Sequence, residues 1–261
     1  MTFSVCIPTL DEVEPRLIES LMHQTDSDFE TLIATDGEPA AINWFLPSGR
    51  KIRWFSTQRL YDGSVDSLVP DNVLFREAKG DILIHLDSDG YIDHRLIEFL
   101  RTFYEHDSQS MLYGQIWFVE PDTLEVIQKD FPCRAPKNDA VMHRIMPDFA
   151  AGAIWSCPTH LLREIGGHDM QFVGKRGCDA RLGWRLGGRG VTQYLVSDPA
   201  MRFYHLGITQ AMQHEKDGDA QWKYDTHAHP TYTGHHHPII ANGGSEFWNP
   251  ENFPIKYREI I

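Results

Sequence analysis

A short apolar run in this sequence ends in two carboxylates: residues 82–90 read Ile82-Leu83-Ile84-His85-Leu86-Asp87-Ser88-Asp89-Gly90. A run of this length that ends at turn residues predicts a buried strand, with Asp87 and Asp89 projecting from its carboxyl end. Carboxylate oxygens are preferred ligands of hard divalent ions such as Mg²⁺ and Mn²⁺. The alternative is a plain acidic turn, because Asp, Ser and Gly are common turn residues.

The segments around this strand alternate between strand and helix patterns. Residues 3–7 and 29–34 are predicted strands, and residues 15–24 and 95–104 are predicted helices. This alternation predicts an α/β fold, with a mostly parallel central sheet covered by helices on both faces. In such sheets ligands bind at the carboxyl ends of the strands, which is where the acidic pair falls.

Composition narrows the classes of function. The chain has 261 residues, 41% of them hydrophobic, and a formal net charge of −13. That charge disfavours binding of nucleic acid through phosphate contacts and a polybasic membrane anchor. No apolar stretch reaches the length of a membrane span, and the N-terminus lacks the features of a secretory signal. None of the four cysteines forms a CxxC pair, so we expect reduced thiols and a cytoplasmic location.

The succession of short motifs resembles that of the inverting family-two glycosyltransferases. Residues 5–12 (VCIPTLDE) look like the family's opening "IPTYNE", and residues 20–30 follow its "SLLxQTxxxFE" stretch. Residues 35–37 are similar to its "DDGS" turn, with Thr35 in place of the first Asp. Asn72, Ala78 and Gly80-Asp81 match "RNxGxxxAxGD", with Leu74 in place of a Gly, and residues 84–89 match "xxLDxD". The ordered succession is more specific than any one of these motifs.

The resemblance implies the A-type glycosyltransferase fold, a Rossmann-like architecture, and a division of the chain into three parts. Residues 1–110 would be the nucleotide-sugar-binding half, and residues 111–212 the acceptor-binding half of the same domain. Residues 213–261 are rich in His and turn residues and predict an irregular C-terminal extension. Within the second part, residues 111–119 predict one strand that pairs with residues 124–128.

The resemblance also implies how the donor is bound. Asp87 and Asp89 would hold a Mn²⁺ or Mg²⁺ ion at the diphosphate of a nucleoside diphosphate sugar. The other residues expected to bind the nucleotide-sugar are Pro8, Thr9, Asp36, Asn72 and Ser88. Plainer alternatives are a turn for Asp36 and Ser88, a strand end for Pro8 and Thr9, and a helix N-cap for Asn72.

A second block, residues 166–190, resembles the family's "GGFDExxxxxxEDxxLxxRLxxxG". The resemblance places Asp179 at the position of the catalytic base, while Cys178 stands where the family has Glu. An inverting transfer needs one carboxylate that takes the proton of the acceptor hydroxyl. Without the resemblance, Asp179 would be interpreted as a helix N-cap.

Two further residues are candidates for the site. His205 follows the proposed base, where many relatives have a His that completes the metal site, and imidazole nitrogen is a suitable Mn²⁺ ligand. A packed, hydrogen-bonded core His is the alternative. Trp155 is the candidate for stacking on an acceptor sugar, although a Trp in a core of this size needs no function.

The sequence therefore predicts a metal-dependent inverting glycosyltransferase that acts on a nucleoside diphosphate sugar and a hydroxyl acceptor. A UDP-sugar is the first expectation for the donor and a GDP-sugar the second. Two alternatives remain open. One is an inactive nucleotide-sugar or glycan-binding module on the same fold, and the other is a nucleotidyltransferase, which the acidic loop at residues 9–12 disfavours.

Overall fold

The structure, a computed structural model, describes residues 1–9, 12–36, 52–57, 68–130, 142–145, 152–168, 178–207 and 257–259. The helices are α1 (Pro15–Met22), α2 (Leu68–Glu77), α3 (Leu96–Tyr104), α4 (Thr159–Glu164) and α5 (Cys178–Gly188). The strands are β1 (Phe3–Thr9), β2 (Phe29–Asp36), β3 (Ile52–Thr57), β4 (Ile82–Leu86), β5 (Gly90–Ile92), β6 (Met111–Tyr113), β7 (Gln115–Val119), β8 (Val126–Asp130), β9 (Met142–Arg144), β10 (Ile154–Pro158), β11 (Gln193–Val196), β12 (Arg202–Leu206) and β13 (Tyr257–Glu259).

The strands of these segments form a nine-stranded sheet in the order β13-β3-β2-β1-β4-β10-β6-β11-β9. Its centre is the predicted parallel block, in which β3, β2, β1 and β4 run in one direction. Beyond β4 the pairing is mixed, because β10 lies antiparallel to both β4 and β6. The predicted α/β fold with a Rossmann-like sheet is confirmed, with this antiparallel strand added to it.

Alternation along the strands divides the core between the two faces of the sheet. On β1, Val5 and Ile7 pack into a cluster with apolar side chains of α1 and α3. Cys6 faces the other way, into a cluster formed with side chains of α2, α4 and α5. The strands are therefore buried on both sides, as their nearly continuous apolar sequences require.

A second, four-stranded sheet has the order β5-β12-β7-β8. The apolar run 111–119, predicted as one strand, is divided between the two sheets at Gly114. A Cβ atom at Gly114 would lie 2.0 Å from the carbonyl oxygen of Met201, so the chain passes too close to its neighbour for any side chain there. The predicted hairpin is present as β7 and β8, which pair antiparallel.

Most of the predicted C-terminal extension, residues 213–261, lies outside the described residues. Its described part, β13, adds an antiparallel strand to β3 at the edge of the large sheet. Arg53 on β3 holds this strand, with its Nε atom 2.9 Å from Glu259 Oε1. Among the described helices, none has the length and hydropathy that crossing a membrane requires.

Candidate active site

The acidic pair lies where two sheets meet. Strand β4 ends at Leu86, and the amide of Asp87 donates to the carbonyl of Ala153 over 2.9 Å. Asp89 immediately precedes β5, and its carbonyl accepts a hydrogen bond of 3.0 Å from the amide of Leu206. The backbone thus fixes both carboxylate-bearing residues between the large sheet and the small one.

Pairing of β5 with β12 brings His205 to this position from far along the chain. His205 lies opposite Gly90, and its Nε2 atom is 3.1 Å from Asp89 Oδ2. Gly90 allows β5 and β12 to lie this close together, since a Cβ atom at residue 90 would lie 2.4 Å from the ring of Phe203. The Asp89 side chain is 58% exposed and that of His205 12% exposed, so solvent reaches the pair on the side of the Asp89 carboxylate.

The charges of this region are crowded. Burial raises the pKa of Asp87 to about 7; His85 and His205 oppose this shift, while Asp89 and Asp179 add to it. For His205, burial would lower the pKa, but the hydrogen bond and charge of Asp89 raise it above its ordinary value. Several carboxylates held this close favour the arrival of a cation.

The side chains at this position carry the types of ligand atom that a divalent ion prefers. Asp87 and Asp89 supply carboxylate oxygens and His205 an imidazole nitrogen, which together suit Mn²⁺ or Mg²⁺. The described segments hold no preformed cage of three or more such side chains. Mg²⁺ at phosphate-transfer sites is commonly bound through one or two carboxylates, water and the substrate's own phosphates.

Asp179 reaches the same place from the second sequence block. It lies in the first turn of α5, half-buried, with its carboxylate against Gly152. Gly152 directly precedes Ala153, whose carbonyl binds the amide of Asp87. Asp87, Asp89, Asp179 and His205 are therefore brought together from three separated segments.

The nucleotide side of the predicted site lies at the ends of β1 and β2. Pro8 and Thr9 pair with Ala34 and Thr35 at the last positions of these parallel strands. Asp36 ends β2, and its side chain lies outside the described part. Thr35, which departs from the family motif, is fully buried and its hydroxyl donates to the carbonyl of Phe55 over 3.3 Å.

Ser88 and Asn72 hold backbone segments together. The carbonyl of Ser88 accepts a 2.8 Å hydrogen bond from the amide of Glu14, which ties the acidic turn to the start of α1. Asn72 lies inside α2 rather than at its N-terminus, and its amide group binds both backbone groups of His168, at 2.7 and 3.1 Å. The capping alternative for Asn72 is therefore wrong.

Trp155 lies in the core rather than at an acceptor site. It is 1% exposed, and its ring stacks on His85 with the centroids 4.8 Å apart. Phe75 packs against its edge at 5.7 Å. No face of the ring is open to a sugar, so we assign Trp155 to the packing beneath the site.

Sequence reasoning missed a buried ionic cluster under the acidic pair. The carboxylate of Asp71 lies 3.1 Å from His85 Nε2 and 3.3 Å from His168 Nε2, and each of these three side chains is 3% exposed or less. Burial would raise the pKa of Asp71, but His85 and His168 hold it well below its usual range. The signal was present, because an ionisable residue such as His85 within an apolar strand needs a partner.

Comparisons with known proteins agree with this arrangement. The family described as "Glycosyl transferase family 2" matches residues 4–157, more than half of the chain. No curated protein matches the sequence.

Solved structures resemble the fold at low sequence identity. S. aureus TarS 1-349 in complex with UDP is 16% identical with a TM-score of 0.58, over 82% of this chain and 63% of that one. GalNAc-T7 with UDP, GalNAc and Mn²⁺ is 15% identical with a TM-score of 0.65, over 98% of this chain and 55% of that one. This chain thus spans less than two thirds of either. By the family match and the fold, the chain belongs to glycosyl transferase family 2.

Proposed function

We propose that the protein is a metal-dependent, inverting glycosyltransferase that moves a sugar from a UDP-sugar, or else a GDP-sugar, to a hydroxyl acceptor. The observation that carries the proposal is the meeting of Asp87, Asp89, His205 and Asp179 at the carboxyl end of β4. Family membership supports it, as do the similar folds of proteins solved with UDP, with UDP-GlcNAc, and with UDP and Mn²⁺.

Asp89 and His205 would hold the divalent ion, together with Asp87. Such an ion, when bound, neutralises charge on a leaving diphosphate. The backbone that carries the two carboxylates is held on both sides. The amide of Asp87 donates to the carbonyl of Ala153, directly before β10, and the carbonyl of Asp89 accepts from the amide of Leu206 on β12. His205 is nearly buried, so it has little freedom to move away from Asp89.

Asp179 is the proton acceptor in this proposal. The acceptor oxygen forms a bond with the anomeric carbon while the bond from that carbon to the diphosphate oxygen breaks, and the electron pair leaves with the diphosphate. The acceptor proton goes to a carboxylate oxygen of Asp179. Asp179 lies in the first turn of α5, where the helix dipole stabilises negative charge.

The nucleoside half of the donor would bind at the ends of β1 and β2. We assign Pro8, Thr9 and Asp36 to this half, on the geometry of the parallel strand ends. Ser88 lies between the two carboxylates and is assigned to the diphosphate. Asn72 contributes less directly, by holding His168.

The test is donor turnover. The protein is incubated with UDP- and GDP-sugars, with Mn²⁺ or chelator, and released nucleoside diphosphate is measured with a panel of hydroxyl acceptors. We expect metal-dependent release from one donor, its loss in Asp179→Asn, and a product of inverted anomeric configuration by NMR. Asp122→Asn, an exposed carboxylate in the β7–β8 turn, is the matched control.

Two other results would change the assignment. Tight UDP binding without turnover on any acceptor would favour the inactive binding module. Full activity of Asp179→Asn would exclude Asp179 as the base but would not affect the proposal for the donor site.

A further inference from the structure

Gly152 is in close contact with the proposed catalytic base. A Cβ atom at this position would lie 2.6 Å from Oδ2 and 2.9 Å from Cγ of Asp179. Real Cβ atoms essentially never approach another heavy atom so closely. The Asp179 carboxylate therefore occupies the space that a side chain of residue 152 would fill.

The glycine is not explained by its backbone conformation. The described glycines with positive φ are Gly166, Gly167, Gly190 and Gly207, and Gly152 is not one of them. What the contacts at position 152 require is the absence of a side chain. That requirement comes from the carboxylate of Asp179.

The same short segment also holds the metal-binding side of the site. The carbonyl oxygen of Ala153, directly after Gly152, accepts a 2.9 Å hydrogen bond from the amide of Asp87. Ile154 then pairs with Leu86 as β10 runs antiparallel to β4. The Gly152–Ala153 backbone thus touches the carboxylate of one predicted functional residue and the amide of another.

We propose that Gly152 is a positioning residue: because it carries no side chain, it leaves the space in which the Asp179 carboxylate lies, next to the backbone segment that binds the amide of Asp87. The inference rests on the proposed role of Asp179 as proton acceptor. The atoms nearest to a methyl group at residue 152 all belong to the Asp179 side chain, so we expect the substitution to displace that side chain and leave the strands intact.

The test is Gly152→Ala, alone and in the Asp179→Asn background. A displacement of about 1 Å at a reacting group costs about 10²-fold in rate. We expect Gly152→Ala to lower kcat by about that factor, with the UDP affinity in Mn²⁺ within about twofold of wild type. In Asp179→Asn the same substitution should cause no further loss, since the two changes disturb one function.

Three outcomes would overturn the inference: an unchanged kcat in Gly152→Ala, a loss of UDP affinity that accounts for the whole effect, or an equal further loss in the Asp179→Asn background. Full activity of Asp179→Asn would instead refute the base assignment on which the inference rests, so the two failures are distinguishable.

A comparison of stability tests the contact without any substrate. If Gly152→Ala lowers Tm or fails to fold, adding Asp179→Ala removes the atoms that the methyl group meets. The double variant should then recover the Tm of Asp179→Ala alone. A double variant as unstable as Gly152→Ala would show that the methyl group clashes elsewhere and would overturn the proposal.

Discussion

Two His–Asp pairs of equal separation lie near each other in this protein and differ in burial. His85 Nε2 is 3.1 Å from Asp71 Oδ1, with side chains 3% and 1% exposed. His205 Nε2 is also 3.1 Å from Asp89 Oδ2, but there the carboxylate is 58% exposed. An exposed pair costs little to separate, whereas breaking a buried pair leaves a charge without a partner. We therefore expect the buried pair to contribute mainly to stability, and we propose that the exposed pair binds a ligand.

The largest expected effect is on the buried pair. Asp71→Ala leaves two buried imidazoles without the carboxylate between them. We expect a loss of about 3–5 kcal/mol in the free energy of unfolding, as is typical when one partner of a buried ion pair is removed. Urea unfolding followed by circular dichroism measures it. A loss below about 1 kcal/mol would contradict the distinction between the two pairs.

Asp89→Asn should lower the metal-dependent activity rather than the stability. The amide keeps the shape of the side chain and removes the charge that a divalent ion needs, so we expect metal-dependent donor turnover to fall by about 10²-fold or more. Initial rates over a Mn²⁺ titration measure it, with Asp122→Asn as control. Unchanged rates and an unchanged Mn²⁺ dependence would exclude Asp89 as a ligand.

The pH dependence of the free energy of unfolding is a third way to distinguish the buried Asp71–His85 pair from the exposed Asp89–His205 pair. Burial would lower the pKa of His85, but Asp71 raises it to about 9. Because this folded-state pKa lies above the unfolded value of about 6.5, the contribution is complete below about pH 6.5 and is lost as the pH rises towards 9. We expect the free energy of unfolding to decrease between pH 7 and 9, and Asp71→Asn to lose this decrease. An equally steep decrease in Asp71→Asn would contradict the assignment to the buried pair.

The smallest expected effect is the loss of stability when the exposed Asp89–His205 pair is broken. Asp89→Asn should change the free energy of unfolding by no more than about 1 kcal/mol, since solvent screens a pair of this kind. Urea unfolding without metal is the measurement. A loss comparable to that of Asp71→Ala would show that Asp89 mainly maintains the fold.

The parts of the fold that local patterns determine were predicted from the sequence. The parallel strands β1, β2 and β4 follow from short apolar runs that end in turn residues, and the Asp87–Asp89 pair follows β4 as predicted. The proximity of His205 to Asp89 was predicted through the family resemblance rather than through any local pattern.

The missed features depend on contacts between distant segments. The run at residues 111–119 looks continuous in the sequence, but it is divided between two sheets at Gly114, where the carbonyl of Met201 approaches closely. Trp155 belongs to β10, which lies between β4 and β6 although it follows them in the chain. A strand inserted in this way is buried on both faces, and no local pattern shows which neighbours will cover it.

The most direct test of the central claim is a titration of UDP into the protein by calorimetry, with and without Mn²⁺. We expect binding that is at least about tenfold tighter with Mn²⁺, because Asp87, Asp89 and His205 would hold the ion at the diphosphate. We expect Asp89→Asn to lose that gain in affinity. Equal affinity with and without Mn²⁺, or no binding of either UDP or GDP, would contradict it.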